Sequence, residues 1–215
     1  MALGIDSADD FRNRIRTIVD REDTAYFSNA QLDDYIEMAV DEFMQQYYTI
    51  FEASQDARDK LEKAVKTETV SFTSPSYTKA VSTLSSSETD PIYYRLLSAR
   101  LTNSPTTSVK IIQIADYSAY LNDPFNQADN NNPVIYQEGG SLKVLGLTAT
   151  TSIDLTYLMY SNDYTDLPGH TYEEIAQIAA RKILQTLGDP RYQLMQAEVL
   201  ERNTVLGGGS PKRSK

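Results

Sequence analysis

The chain has 215 residues, 40% hydrophobic and 23% charged, proportions that suit a folded protein with one sizeable core or two modest ones. It contains no cysteine, which excludes disulfides and thiolate metal sites, and its apolar runs fall short of the roughly 18 residues of a membrane-spanning helix. Twenty basic and thirty acidic residues give a net charge of −10, and three of the positive charges lie at Lys212, Arg213 and Lys215, so the body is more acidic still.

Binding to nucleic acid depends on basic groups that displace counterions from phosphate, so this balance makes the body a poor candidate for a conventional DNA-binding domain. It suits plain solubility first, and also a surface past which DNA slides without sticking. The opening, Met1 to Asp10, lacks the basic-then-apolar layout of a signal peptide, and the expectation is a soluble product made in the cytosol.

In chain order, Ser7 with Asp10 reads as a helix start: a short acceptor for the free amides and an acid in the positive first turn. Phe11, Ile15, Ile18 and Val19 follow at helical spacing, with Arg12, Arg14 and Arg16 among them. Ser28 and Gln31 form a capping-box pattern, with Phe27 and Leu32 as its hydrophobic staple. Leu32, Tyr35, Ile36, Ala39, Phe43, Tyr47 and Ile50 then make one apolar stripe, with Asp33, Asp34, Glu37, Asp41 and Glu42 on and beside the opposite face. The helix-forming composition continues through Gln55–Val65, with a break expected near Ala53–Asp56.

From Thr67 the period changes to two. Val70 and Phe72 alternate with Thr69, Ser71 and Thr73, and residues 82–90 read as a polar loop. Tyr93–Leu101 and Val109–Ile114 carry further alternation. Val134–Glu138 and Ser141–Leu145 flank Gly139-Gly140, a two-residue hairpin turn. Ile153, Leu155, Tyr157 and Met159 mark the clearest strand. These short strands predict a small antiparallel sheet, barrel or sandwich.

Helical signals return with Thr171 and Glu174 as a second capping box, a stripe of Ile175, Ile178, Ala179, Ile183 and Leu187, and Gly188 as C-cap. Asp189-Pro190 starts a last helix lined by Leu194 and Ala197, with Leu200 or Glu201. Beyond Asn203 the chain is glycine-rich and basic, too polar to fold alone. The predicted class is α+β: a helical bundle from the two chain ends with an inserted small antiparallel β domain. The predicted divisions are 1–66, 67–164, 165–204 and a tail, 205–215.

Catalytic and cofactor motifs do not emerge. His170 stands alone before a helix cap and is expected to be a surface or capping residue, and Gly207–Lys212 lacks phosphate-loop spacing. The helix acids at Asp33, Asp34, Glu37, Asp41 and Glu42 read as a solvated face before a cation site. Asp123–Asn132 fails the calcium-loop pattern and reads as an Asx-turn loop. The expectation is a non-enzyme without catalytic, cofactor or metal residues. Of the fifteen tyrosines, Tyr47-Tyr48 and Tyr93-Tyr94 are expected to place neighbouring rings on different faces, so that one core cannot bury both; such rings suit core edges or protein contacts.

The run Arg12–Asn13–Arg14–Ile15–Arg16–Thr17–Ile18–Val19–Asp20–Arg21, then Tyr26–Phe27–Ser28–Asn29–Ala30–Gln31–Leu32–Asp33–Asp34–Tyr35–Ile36, continued by Ala39 and Glu42, resembles the opening of tailed-bacteriophage head-to-tail adaptor proteins. Leu167-Pro168, Tyr172–Ala180 and the Gly188-Asp189-Pro190 break resemble the ending of such chains, with the strand around Ile153–Tyr160 upstream. The strand-rich middle is longer than in all-helical adaptors and is similar to neck-ring proteins of podovirus-type and crAss-like phages.

The resemblance implies a structural virion protein: a homo-oligomeric ring, often twelve-fold, at the head–tail junction. Its implied partners are the portal, further neck or tail proteins, and DNA passing through without sequence-specific binding, with no membrane involved. The tail, with Val205, Leu206, Lys212, Arg213 and Lys215, is the expected portal-docking element, and Asp33, Asp34, Glu37 and Asp41 the expected channel-facing acidic face. Other tail-completion or capsid-associated proteins, and a non-viral interaction module, remain alternatives.

Overall fold

The computed structural model describes residues 7–20, 27–84, 92–122, 125 and 127–197. The expected portal-docking residues Val205, Leu206, Lys212, Arg213 and Lys215 lie outside them, as do Leu200 and Glu201. In chain order the helices are α1 (Ala8–Val19), α2 (Asn29–Tyr48), α3 (Gln55–Lys60), α4 (Tyr117–Asn122) and α5 (Tyr172–Leu187). The strands are β1 (Val65–Phe72), β2 (Thr78–Ala80), β3 (Ile92–Leu101), β4 (Ser104–Ser108), β5 (Lys110–Ile111), β6 (Val134–Glu138), β7 (Ser141–Leu145) and β8 (Thr151–Tyr160). The protein is α+β, and it divides into two compact units, Met1–Leu61 with Asn162–Lys215, and Glu62–Ser161.

The first unit is helical. Ser7 and Ser28 each accept the backbone amide three residues on, and Gln31 returns its side chain to the Ser28 amide, closing the expected capping box. Helix α1 buries Phe11, Ile15 and Val19. It ends at Asp20, a non-glycine residue with φ +60° whose amide caps the last carbonyls. Phe11 also stacks on Tyr164, with ring centroids 4.4 Å apart, and Tyr172 meets both rings edge-on. The start of the chain is thereby held to the segment leading into α5.

Helix α2 stops at Tyr48, ahead of the expected break, and Ser54 caps a separate α3. Both Tyr47 and Tyr48 are buried, contrary to expectation. Adjacent helical residues lie about 100° apart rather than on opposite faces, and α2 buries the pairs Ala39/Val40, Phe43/Met44 and Tyr47/Tyr48 along one broad stripe. Helix α5 buries Ile175, Ile178, Ala179 and Ile183, with Ala176, Ala180 and Leu184 widening its face, and Gly188 caps it. Leu187 is exposed, as is Leu194 in the helical segment 191–197, so neither lines a core here.

The expected Thr171–Glu174 capping box does not form. Thr171 already has helical dihedrals after a short 3-10 turn, its hydroxyl donates to the Pro168 carbonyl at 2.7 Å, and Glu174 is engaged elsewhere.

The second unit is a pair of four-stranded sheets, ordered β1-β8-β3-β4 and β2-β7-β6-β5. Val70, Phe72, Ile153 and Leu155 from the first sheet pack with Ile135, Leu142 and Val144 from the second in one core. The outward positions of β1 and β8 are small and polar, pairing Thr67 with Thr156, Ser71 with Ser152 and Thr69 with Asp154. The pairing is antiparallel except at β5, which runs parallel to β6. Gly139 and Gly140, both at positive φ, form the expected hairpin turn.

Asp129 makes the Asx turn anticipated in its loop, its carboxylate accepting the Asn131 and Asn132 amides at 2.8 Å each. Gly146, at φ +93°, lets the chain after β7 pass against this turn, and a Cβ there would sit 2.6 Å from the Asp129 carbonyl oxygen. Gly146→Ala is therefore expected to cost about 3 kcal/mol, combining a positive-φ strain with a backbone clash. Gly169→Ala, where the space is open and φ ordinary, is the neutral control. Urea unfolding midpoints of the two variants check the contrast.

Candidate functional site

The helical unit is tied together by charged side chains far apart in sequence. Arg12 donates to both carboxylate oxygens of Asp33 at 2.7 and 2.8 Å, joining α1 to α2. Arg14 does the same to Glu173 at 2.8 and 2.5 Å, joining α1 to α5. The hydrogen bonds to Asp33 and Glu173 raise these guanidinium pKa values, so both arginines are held in the charged form. Glu42 on α2 receives Arg181 and Lys182 from α5. Burial alone would raise the Glu42 carboxyl, but the hydrogen bonds from Lys182 and Arg181 outweigh it and hold it below the usual range. Arg191 donates to the Val19 carbonyl at 3.1 Å, reaching the end of α1.

The least exposed of these ties is a three-residue lock. The Tyr47 hydroxyl donates to Glu174 Oε1 at 2.8 Å, and Lys60 Nζ donates to Glu174 Oε2 at 2.9 Å and to the Tyr47 oxygen at 2.5 Å. The Lys60 and Glu174 side chains are 15% and 14% exposed, so α2, α3 and α5 meet around a largely desolvated ion pair. Burial pushes Tyr47 up to about 12, so at neutral pH it stays a protonated hydrogen-bond donor. Burial would lower Lys60, but its bonds to Tyr47 and Glu174 prevail and raise it to about 12.

The helix acids therefore do not form one uniform solvated face. Asp33 and Glu42 are spent on contacts to α1 and α5, Asp41 accepts a bond from Gln45 at 2.9 Å, and Asp34 and Glu37 are exposed. Asp34, Glu37, Met38 and Asp41 share one helix face by their spacing of three, four and seven, and Met38 stands 52% exposed among the carboxylates. Among the described residues no group of three or more histidines and acids is placed to hold a metal ion. His170 is exposed in the short turn before α5.

A second surface lies in the β unit, where the sequence signalled strand alternation over Val109–Ile114 but no site. A cleft of about 510 Å³ is lined by Ser108, Lys110, Tyr120, Phe125, Gln127 and Asn132, with Pro133 and Val134 behind. Lys110 Nζ donates to the Tyr120 hydroxyl at 2.5 Å. Phe125 is 94% exposed, and Ile111, Ile114 and Leu121 are each more than two-fifths exposed. Half of the exposed large hydrophobic residues described thus fall between positions 111 and 125. No protein-family model matches the chain, and no curated protein matches it.

Lys60→Met is expected to lose about 3 kcal/mol by leaving Glu174 buried beside a neutral neighbour, while Lys60→Met with Glu174→Gln loses less than the two single changes together. Denaturant titration of the cycle measures this coupling. The lock also sets an alkaline limit. Tyr47 and Lys60 have ordinary values of 10.0 and 10.5 and folded values of about 12. Folding thus retains their protons between those values, and the stability they contribute is complete below pH 10 and lost as pH rises to 12. Thermal melts of Tyr47→Phe should show a shallower decline over that window than the parent.

Proposed function

We propose that this chain is a structural protein of a tailed-phage particle, assembling as a ring between portal and tail that continues the DNA channel. One observation carries the reading. The two stretches that resemble adaptor proteins, Arg12–Ile36 and Leu167–Pro190, lie at opposite ends of the sequence and belong to one compact unit, joined by Arg12–Asp33, Arg14–Glu173 and the Phe11–Tyr164 stack. We take α1, α2 and α5 as a helical bundle forming the hub, with the β unit as a contact arm.

The acidic composition supports the same reading, because a passage lined by an acidic protein repels phosphate instead of retaining it. A basic tail gives the complementary opportunity: Val205 and Leu206 supply apolar anchors, and Lys212, Arg213 and Lys215 supply charge for an acidic groove on the portal. The product would be found at the head–tail junction of the virion after synthesis in the host cytoplasm.

Mass photometry of the purified protein, alone and with its portal ring, tests the reading. Ring-sized species, or saturable binding near roughly one chain per portal subunit, is expected. A monomer that ignores portal at micromolar concentration would overturn it. Removal of residues 205–215 should weaken portal binding about tenfold or more, and unchanged binding would dismiss the tail as the docking element.

A further inference from the structure

We infer that the acidic face of α2 on one copy docks against the Lys110–Tyr120 cleft on a second copy of this chain. Met38 meets Phe125 in this contact, and Asp34 and Glu37 face Lys110. The inference rests on the ring reading above, for which it names the contact.

Each surface supplies what the other lacks. Among the described residues the cleft is lined by one cation, Lys110, and by no carboxylate, on a chain whose net charge is −10. Among the described residues Lys110 meets the Tyr120 phenol and no carboxylate. The α2 face presents the reverse: Asp34 and Glu37 are exposed without a side-chain partner among the described residues, while neighbouring Asp33 and Glu42 are ion-paired.

Apolar matching accompanies the charge. Met38 projects from the centre of the acidic face, and Phe125 projects beside the cleft. A thioether against an aromatic edge is a favourable and adaptable contact, and oppositely charged rims around an apolar centre fix register and suppress wrong pairings.

The geometry of the pairing also has a consequence for assembly. The two surfaces differ, so the contact is head-to-tail, and such a contact propagates from copy to copy until it closes as a ring or extends as a filament. Asp34, Glu37 and Asp41 then serve a subunit contact and not the DNA passage.

Charge reversal tests this directly, by sedimentation and mass photometry of the full chain with and without portal. Glu37→Lys and Lys110→Glu should each weaken self-association about tenfold or more, and the double variant should restore it to within about threefold of the parent. Phe125→Ser, at a position that contributes nothing to the core, should weaken it similarly, with an unchanged melting temperature for all four proteins. Self-association that the single reversals leave intact, or that the double reversal fails to restore, overturns the contact. Rings that form on portal regardless of these changes would leave the adaptor reading standing and remove this contact. Self-association that follows the charge pattern in a chain that ignores portal would keep the contact and remove the adaptor reading. Reversals that alter portal binding alone would assign the cleft to portal and overturn the second copy as its occupant.

Discussion

Glu174 holds two side chains from the other end of the sequence at once, and the helical unit depends on that carboxylate. It accepts from Tyr47 on α2 and from Lys60 on α3, more than a hundred positions upstream. The pair is mostly withdrawn from water, so Glu174 without Lys60 would lose its cationic partner in a low-dielectric setting, whereas Lys60 also has Asp56 at 3.2 Å. The chain can satisfy it by bringing α5 back to α2 after the whole of the β unit has been traversed. The Arg12–Asp33 and Arg14–Glu173 pairs repeat the constraint at α1, each with bidentate geometry that fixes orientation as well as proximity.

Local chemistry was legible in the residues wherever the physics is local. The Ser7 and Ser28 caps, the Gly139-Gly140 turn, the alternation of β8 and the Asp129 turn follow from side chains acting on their own neighbours. The reading lost accuracy where distant partners decide. Thr171 and Glu174 have the spacing of a capping box, but a carboxylate that can neutralise the largely covered Lys60 gains more there than by capping one amide. Asp33 and Glu42 look like members of a solvated stripe because their arginine and lysine partners are invisible to periodicity. The parallel β5–β6 pair and the short α4 are also set by tertiary pairing, having too few residues to carry a period of their own. The candidate contact surfaces were half legible: the acids of α2 stand out in the sequence, whereas the Lys110 cleft exists because Ser108, Tyr120, Phe125 and Asn132 converge only on folding.

The distribution of charge divides between internal cohesion and the surface. Asp33, Glu42, Glu173 and Glu174 are used for cohesion inside the helical unit, and Asp34 and Glu37 face outward beside an exposed methionine. Apolar exposure in the β unit concentrates between Ile111 and Phe125 instead of scattering over the surface.

Native-state hydrogen exchange on the intact protein and its Glu174→Gln variant tests the central claim, that both chain ends close one cooperative helical unit. The slowest amides of α1, α2 and α5 should share a single opening free energy, and Glu174→Gln should lower all three together. Protection lost in α3 and the adjoining end of α2, with α1 and α5 unchanged, would contradict it.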